Sequence, residues 1–300
     1  MSVALLLLPD FSLILLGYAL RRAMQLGDHF WTGMEKLVYF VLFPALLFNA
    51  LTRTHIDFAA AAPLILAGFL AMLAGMALAL PARWLFAMTK TSFSAQFQCA
   101  FRYNTYLGLA VAGTLHGAAG IAAMGVLAGA LVPVANIAAV WMLARHGDAG
   151  LWRELAKNPL ILATLAGIAC NLAGLEIPRP AQAFLGRLAE ASIVLGLLTV
   201  GAALKLRSGA VAGSSGARYY LLAVKLAAVP AAAWLAVRGL GLKGVYADIA
   251  VAFGALPTAT SAYILAQRMG VDGSGVAWLI SAGTLLAMLS LPLWLAAMPG

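Results

Sequence analysis

A chain of 300 residues that is 64% apolar and 10% charged, with a mean hydropathy of +0.96, is not a water-soluble domain, where about a quarter of the residues carry charge. The formal charge of +9 does not signal nucleic-acid binding, because the basic residues are dispersed among short loops and form no patch. Cys99 and Cys170 form no metal or redox motif and read as small buried hydrophobes within predicted helices.

Apolar runs long enough to cross a bilayer recur along the whole chain. They predict an all-α integral membrane protein of ten transmembrane helices, over residues 3–22, 35–53, 61–86, 94–114, 119–143, 158–175, 183–205, 216–238, 245–268 and 275–297. Arg21 and Arg22 follow the first run instead of preceding it, so this run reads as a retained helix and not a cleaved signal. Pro44 lies in the second helix, and Asn49, one turn beyond it, is a candidate to line a pocket. One set of alternate loops holds Arg21, Arg22, Lys36, Arg83, Lys90, Arg145, Arg153, Lys157, Lys205, Arg207, Arg218 and Arg268. The other holds Arg53, Arg179, Arg238 and Lys243. The richer set belongs in the cytoplasm, which places both termini outside it.

Ten helices divide into five and five at the loop 145–157, giving repeats over 1–148 and 149–300. An odd number of crossings per half inverts one half relative to the other, the inverted repeat of many transporters. Internal echoes agree: Ala100-Phe101 precedes the polar centre of the fourth helix and Ala252-Phe253 that of the ninth, while Pro133 and Pro292 occupy the fifth and tenth.

The two polar centres are the chemical signal. The ninth helix holds Gly254, Leu256, Pro257, Thr258, Thr260 and Ser261 in its middle. Its proline removes a backbone donor and clashes with the carbonyl of Phe253, and it pushes Leu256 toward an extended conformation. Backbone groups freed in this way cannot face lipid, so they must face protein or a watery cavity. The fourth helix holds Arg102, Tyr103, Asn104, Thr105, Tyr106 and Gly108 at the matching depth, and an offset of one repeat sets Thr105 opposite Pro257. Two interrupted centres at corresponding positions of two halves mark a binding site, with positive half-helix ends suited to an anion.

Arg102-x-Asn104 followed by a glycine, the LPTATSAY centre at 256–263, Asn158-Pro159 and Pro44 together resemble the auxin efflux carrier family. The likeness is to a bacterial short-loop member of the bile-acid, auxin and arsenite transporter superfamily, and it covers essentially the whole chain. It implies a fold similar to sodium/proton antiporters, with broken helices four and nine crossing. Helices 1, 2, 6 and 7 would form a scaffold, possible homodimer contacts included, and helices 3–5 and 8–10 a domain that moves like an elevator in the bacterial inner membrane. The implied cargo is a small organic anion such as a carboxylate, received by Asn104 and the backbone of Leu256–Thr258. The long hydrophilic loop of the plant members is missing, and so is a proline at the fourth-helix crossing.

Two roles stand open for Arg102: pairing with the substrate carboxylate, or a bridge to Glu190 or another acid. Lys225 reads as structural or gating. Glu190 is expected to pair with Arg187, three residues before it on the same face. Asn136 and Asn171 are candidates of the same standing as Asn49. Asp248 falls nearer the outer surface than the crossing, and His29, His55, His116 and His146 read as surface residues in or beside loops. No cofactor is expected beyond a coupling ion, proton or sodium. A sodium-coupled anion symporter of the bile-acid type is the alternative function. A cation/proton antiporter would need an ionisable carboxylate that neither polar centre has. An intramembrane enzyme would need a nucleophile with its base or paired metal ligands, and Gly273-Ser274-Gly275 supplies neither.

Overall fold

A computed structural model describes residues 3–53, 58–143, 159–205 and 214–297, and every regular element among them is helical. The loop 145–157 that was to divide the halves, together with His55, His146, Asn158 and Arg207, lies outside the described residues. Six described stretches are long and apolar enough to cross a membrane: Asp28–Arg53, Ala61–Leu85, Lys90–Leu143, Arg179–Ala202, Ser215–Gly239 and Ser274–Ala296. Large apolar side chains, among them Trp84, Trp141, Phe184, Leu289 and Leu293, face outward, as a lipid-facing surface requires.

Helix α1 (Val3–Ala23) is followed by α2 (Asp28–Leu37), a five-residue π segment (Val38–Leu42) and α3 (Phe43–Arg53). The helix thus begins seven residues before the predicted start at 35. Asp28, Glu35 and Lys36 lower the hydropathy there without disfavouring helix, and Asp28 sits in the first turn, where a negative charge suits the dipole. Helices α4 (Phe58–Ala79), α5 (Ala82–Leu85) and α6 (Lys90–Phe97) follow, with Thr89 capping α6 through its side chain. Beyond α7 (Thr105–Leu143) come α8 (Pro159–Leu172), α9 (Arg179–Ala202), α10 (Ser215–Ala223), a second π segment (Val224–Ala228) and α11 (Val229–Gly239). The chain then runs through α12 (Gly244–Ala255), α13 (Ser261–Arg268) and α14 (Ser274–Ala296).

Both π segments stand immediately before a proline, Pro44 or Pro230, at the second position of the next helix. A proline cannot bond the carbonyl four residues back and pushes it away, so the preceding turn widens. For Pro230 that carbonyl belongs to Leu226, and Trp294 of α14 supplies the missing donor at 3.0 Å.

Lys90–Leu143 spans 54 residues, far more than one crossing needs. Helix α7 carries non-helical dihedrals at His116 and Gly117, the latter at φ +56°. Gly113 lies against Ile121, and Gly120 against the Ala112 carbonyl. Eight residues of unbroken helix would separate such positions by about 12 Å, so α7 doubles back on itself at this glycine. The arm 105–115 covers only the later part of the span predicted at 94–114, whose earlier part is α6 and the turn after it, and the arm 118–143 coincides with the span predicted at 119–143; a bend joins them where a loop was expected.

Helices α1, α3, α8 and α9 pack on one another. Gly17 meets the backbone of Leu198, and Gly201 meets the carbonyl of Ile14, so α1 and α9 run antiparallel at very close approach. A second neighbourhood joins α4, α7, α11, α12 and α14 around α12, whose Gly254 sits against Val229, Pro230 and Ala233. Helix α7 also touches α3 and α9. The fully buried aromatic rings, Phe43, Phe101 and Phe253, lie beside these junctions.

Candidate functional site

The first interruption forms without a proline. Helix α6 tightens into a 3-10 turn at Gln98–Ala100, Phe101 leaves the helical region (φ −128°), and regular helix resumes only at Thr105. Asn104 makes the restart: its Oδ1 accepts from the backbone N–H groups of Tyr106 (3.1 Å) and Leu107 (3.2 Å), the work of an N-cap. The second interruption follows from Pro257. Leu256 adopts φ −60°, ψ 141°, the extended backbone a following proline demands, and ends α12. Helix α13 restarts at Ser261, where no side chain caps the N-terminus.

The two interruptions satisfy each other. The Asn104 N–H donates to the Pro257 carbonyl at 2.9 Å, and Thr258 Oγ1 donates to the Cys99 carbonyl at 2.7 Å. Gln98 Nε2 reaches across to the Ala262 carbonyl at 3.1 Å. Arg102 donates through Nη1 to Gln98 Oε1 (3.2 Å) and through Nη2 to Ser261 Oγ (2.9 Å). The contact between positions 104 and 257 lies within one residue of the pairing expected from the repeat offset. Tyr103 packs its ring on Phe253 with centroids 4.1 Å apart. Tyr106 stacks on Phe43 at 4.5 Å and 26°.

Arg102, Tyr103, Asn104, Leu256, Pro257 and Thr258 are all buried at this junction; Thr105 and Thr260 are half-buried, and Ser261 is exposed. Asn49 is buried on α3 with its Oδ1 unpartnered, and no described hydrogen bond joins it to the junction. Asn171 donates to the Leu51 carbonyl at 2.9 Å, which makes it a packing residue. Two polar groups in the junction itself have no partner: Asn104 Nδ2 and Tyr103 Oη. Buried polar atoms left in that state call for an explanation, and a bound molecule that completes the hydrogen bonding is one.

Lys225 belongs here too, although sequence reasoning left it outside the site. It lies in the π segment before α11, 3% exposed, with Nζ 3.4 Å from the Gly254 carbonyl at the end of α12. A cation at a helix C-terminus is favourably placed. The sequence signal was a lysine within a span, and its meeting with α12 depends on the packing of α11. Gln98 was likewise missed, being an ordinary polar residue until the chain tightens around it.

Three expectations are corrected. Arg102 forms no bridge to Glu190; its fork faces two neutral side chains, while Glu190 is exposed on α9. Arg187 and Glu190 do not pair, since the described ion pairs are Arg21–Asp28 and His116–Asp248, and an exposed i,i+3 pair has little to hold it together. His116 is no ordinary surface residue: at the α7 bend its Nε2 lies 2.8 Å from Asp248 Oδ2, with its side chain 25% exposed.

The junction therefore holds two buried cations, Arg102 and Lys225, and two helix N-termini, without an aspartate or glutamate in residues 90–115 or 249–271. Among the described residues no cluster of His, Cys, Asp or Glu is suited to hold a metal. Such a place suits a small anion.

Residues 148–295 match a family described as Membrane transport protein. A Rhizobium meliloti protein called "Putative malonate transporter" is 29% identical over 293 residues, covering 89% of this chain and 86% of the relative. An "Uncharacterized transporter" of Methanothermobacter thermautotrophicus is 28% identical, with 94% of each chain covered. Auxin efflux carrier component 7 of Arabidopsis thaliana is 24% identical over 172 residues, which is 56% of this chain and 27% of that carrier.

Proposed function

We propose that this chain, whose residues 148–295 match a family described as Membrane transport protein, is a secondary transporter of a small organic anion, a carboxylate, bound where the two interruptions meet. The observation that carries this reading is the pairing of Arg102 and Lys225, 8% and 3% exposed, with neutral groups alone. A buried cation without a counter-charge is costly. An anion seated beside it offsets that cost while completing the bonding of Asn104 Nδ2 and Tyr103 Oη.

The carboxylate accepts from Asn104, from Tyr103 and from the uncapped start of α13, with Arg102 supplying charge. The resulting near-neutral unit crosses the membrane more easily than a bare anion. Ten crossings in two inverted halves, 1–148 and 149–300, place both termini outside the cytoplasm of a bacterial inner membrane. The grouping of α1, α3, α8 and α9 apart from α4, α7, α11, α12 and α14 supports a scaffold and a moving domain. Polar links cross between the two sides, among them Thr114 Oγ1 to Asp10 Oδ2 at 2.9 Å, the Lys205 N–H to Ser281 Oγ of α14 at 2.9 Å, and Lys205 Nζ to Tyr263 Oη of α13 at 2.9 Å. An elevator shift breaks at least one of them in each cycle. A scaffold dimer fits the same division. Malonate, the compound in the Rhizobium relative's name, is the first substrate to try.

The test is counterflow of labelled malonate and a panel of other carboxylates into proteoliposomes containing the purified full chain. Saturable exchange that Arg102→Gln weakens supports the reading. Exchange of cations for protons, with no carboxylate moved, would sink it.

A further inference from the structure

Away from the junction, an open cleft of about 430 Å3 lies between the end of α3 and the first half of α9, lined by Arg53, Arg179, Gln182, Gly186, Arg187 and Glu190. We propose that this cleft is a second carboxylate-binding site, a vestibule that gathers the organic anion before it passes to the junction; the proposal rests on the transporter reading above.

Charge balance is the first argument. Three guanidinium groups share the cleft with one carboxylate, and none of the four is in an ion pair among the described residues. Guanidinium forks match a carboxylate in shape and can bind it through two parallel hydrogen bonds. Depth is the second argument. Arg187 and Glu190 sit eight and eleven residues into α9, roughly 12–17 Å from its start at 1.5 Å per residue, and both are exposed. Charges at that depth are expelled from hydrocarbon, so the cleft holds water, not lipid tails.

Continuity is the third argument. Positions 179, 182, 186, 190 and 193 follow one another at helical spacing on a single face of α9. Ile193 lies against Gly113 of the first arm of α7, and one turn on Gly196 lies against the Phe43 ring. On α3, Arg53, Asn49, Leu46 and Phe43 descend at the same spacing. Both stripes end at Phe43, which stacks on Tyr106, two residues past Asn104. The two stripes thus lead from the basic cleft to an aromatic pair that lies beside the junction.

The test uses the full chain in vesicles of neutral phosphatidylcholine, with labelled malonate as probe. The triple variant Arg53→Gln, Arg179→Gln, Arg187→Gln alters exposed side chains only, so the fold persists. Removing a steering field raises KM by roughly tenfold, with a much smaller change in maximal rate, and flattens the dependence of KM on salt. Malonate also raises the melting temperature of purified wild-type protein more than that of the variant at low salt. This second measurement stands even where no exchange of malonate occurs, so failure of the transporter reading is told apart from failure of the vestibule. An unchanged KM, salt profile and melting shift would overturn the proposal. So would a difference that phosphatidylglycerol in the vesicles abolishes, which would assign the cleft to lipid phosphate. Efficient cross-linking of Arg187→Cys between two copies would overturn it as well, making the cleft an interface.

Discussion

Asn104 performs two tasks that substitution can separate. Its Oδ1 caps the restart of α7, while its Nδ2 is buried without a partner. Asn104→Asp keeps an acceptor at the cap, where Asp and Asn serve about equally well, but removes the amide donor. Asn104→Ala removes both, at a stability cost of about 0.5–2 kcal/mol for the lost cap. A hydrogen bond to a charged group is worth about 1.5–3 kcal/mol, and each 1.4 kcal/mol is tenfold in affinity. Deleting the donor alone should therefore weaken carboxylate binding about ten- to a hundredfold. The added negative charge, two residues from Arg102, makes that a lower bound. Melting curves of purified protein should show the Asp variant close to wild type and the Ala variant lower, while malonate counterflow collapses in both. An Asp variant that exchanges malonate with the wild-type KM would refute the assignment of Nδ2 to the substrate.

Lys225→Met keeps the length and apolar stem of the side chain but deletes its charge. The protein should fold with little loss of stability, as when buried ions are replaced by hydrophobes, while malonate affinity measured by thermal shift falls about tenfold. Gly201→Ala drives a Cβ into the Ile14 carbonyl and should cost much of the folded yield in size-exclusion chromatography; Gly239→Ala, with open space around it, should cost little. Replacing Gly117 by Ala puts a side chain at φ +56°, ψ −138° with nothing nearby to clash, so only backbone strain acts, about 1–3 kcal/mol read as a lower melting temperature. A double-mutant cycle of His116→Ala and Asp248→Asn should return a coupling of about 0.5–3 kcal/mol in stability, since the two side chains are in contact; additive effects would mean that the 2.8 Å pair contributes nothing.

The polar centres were legible because hydrocarbon is intolerant: a proline or a run of Arg-Tyr-Asn-Thr within a span needs a partner, and the matching interruption was the one available. That logic located Asn104 and Pro257 within one residue of their actual contact. It also delimited the helices where apolar length sets them, as in α14, while missing the start of α2, where helix continues through charged residues. What it could not supply was any partner fixed by the way helices lean on one another. Lys225 meets Gly254, 29 positions away, and His116 meets Asp248, 132 positions away. The arginine-lined cleft draws on both α3 and α9. Hydropathy and backbone chemistry are properties of neighbouring residues, so the chain alone dictated where the apolar helices run and where the two centres break. Side-chain pairing across helices depends on rotation and depth set by packing, and only the assembled structure decided which charges stay without a counter-charge.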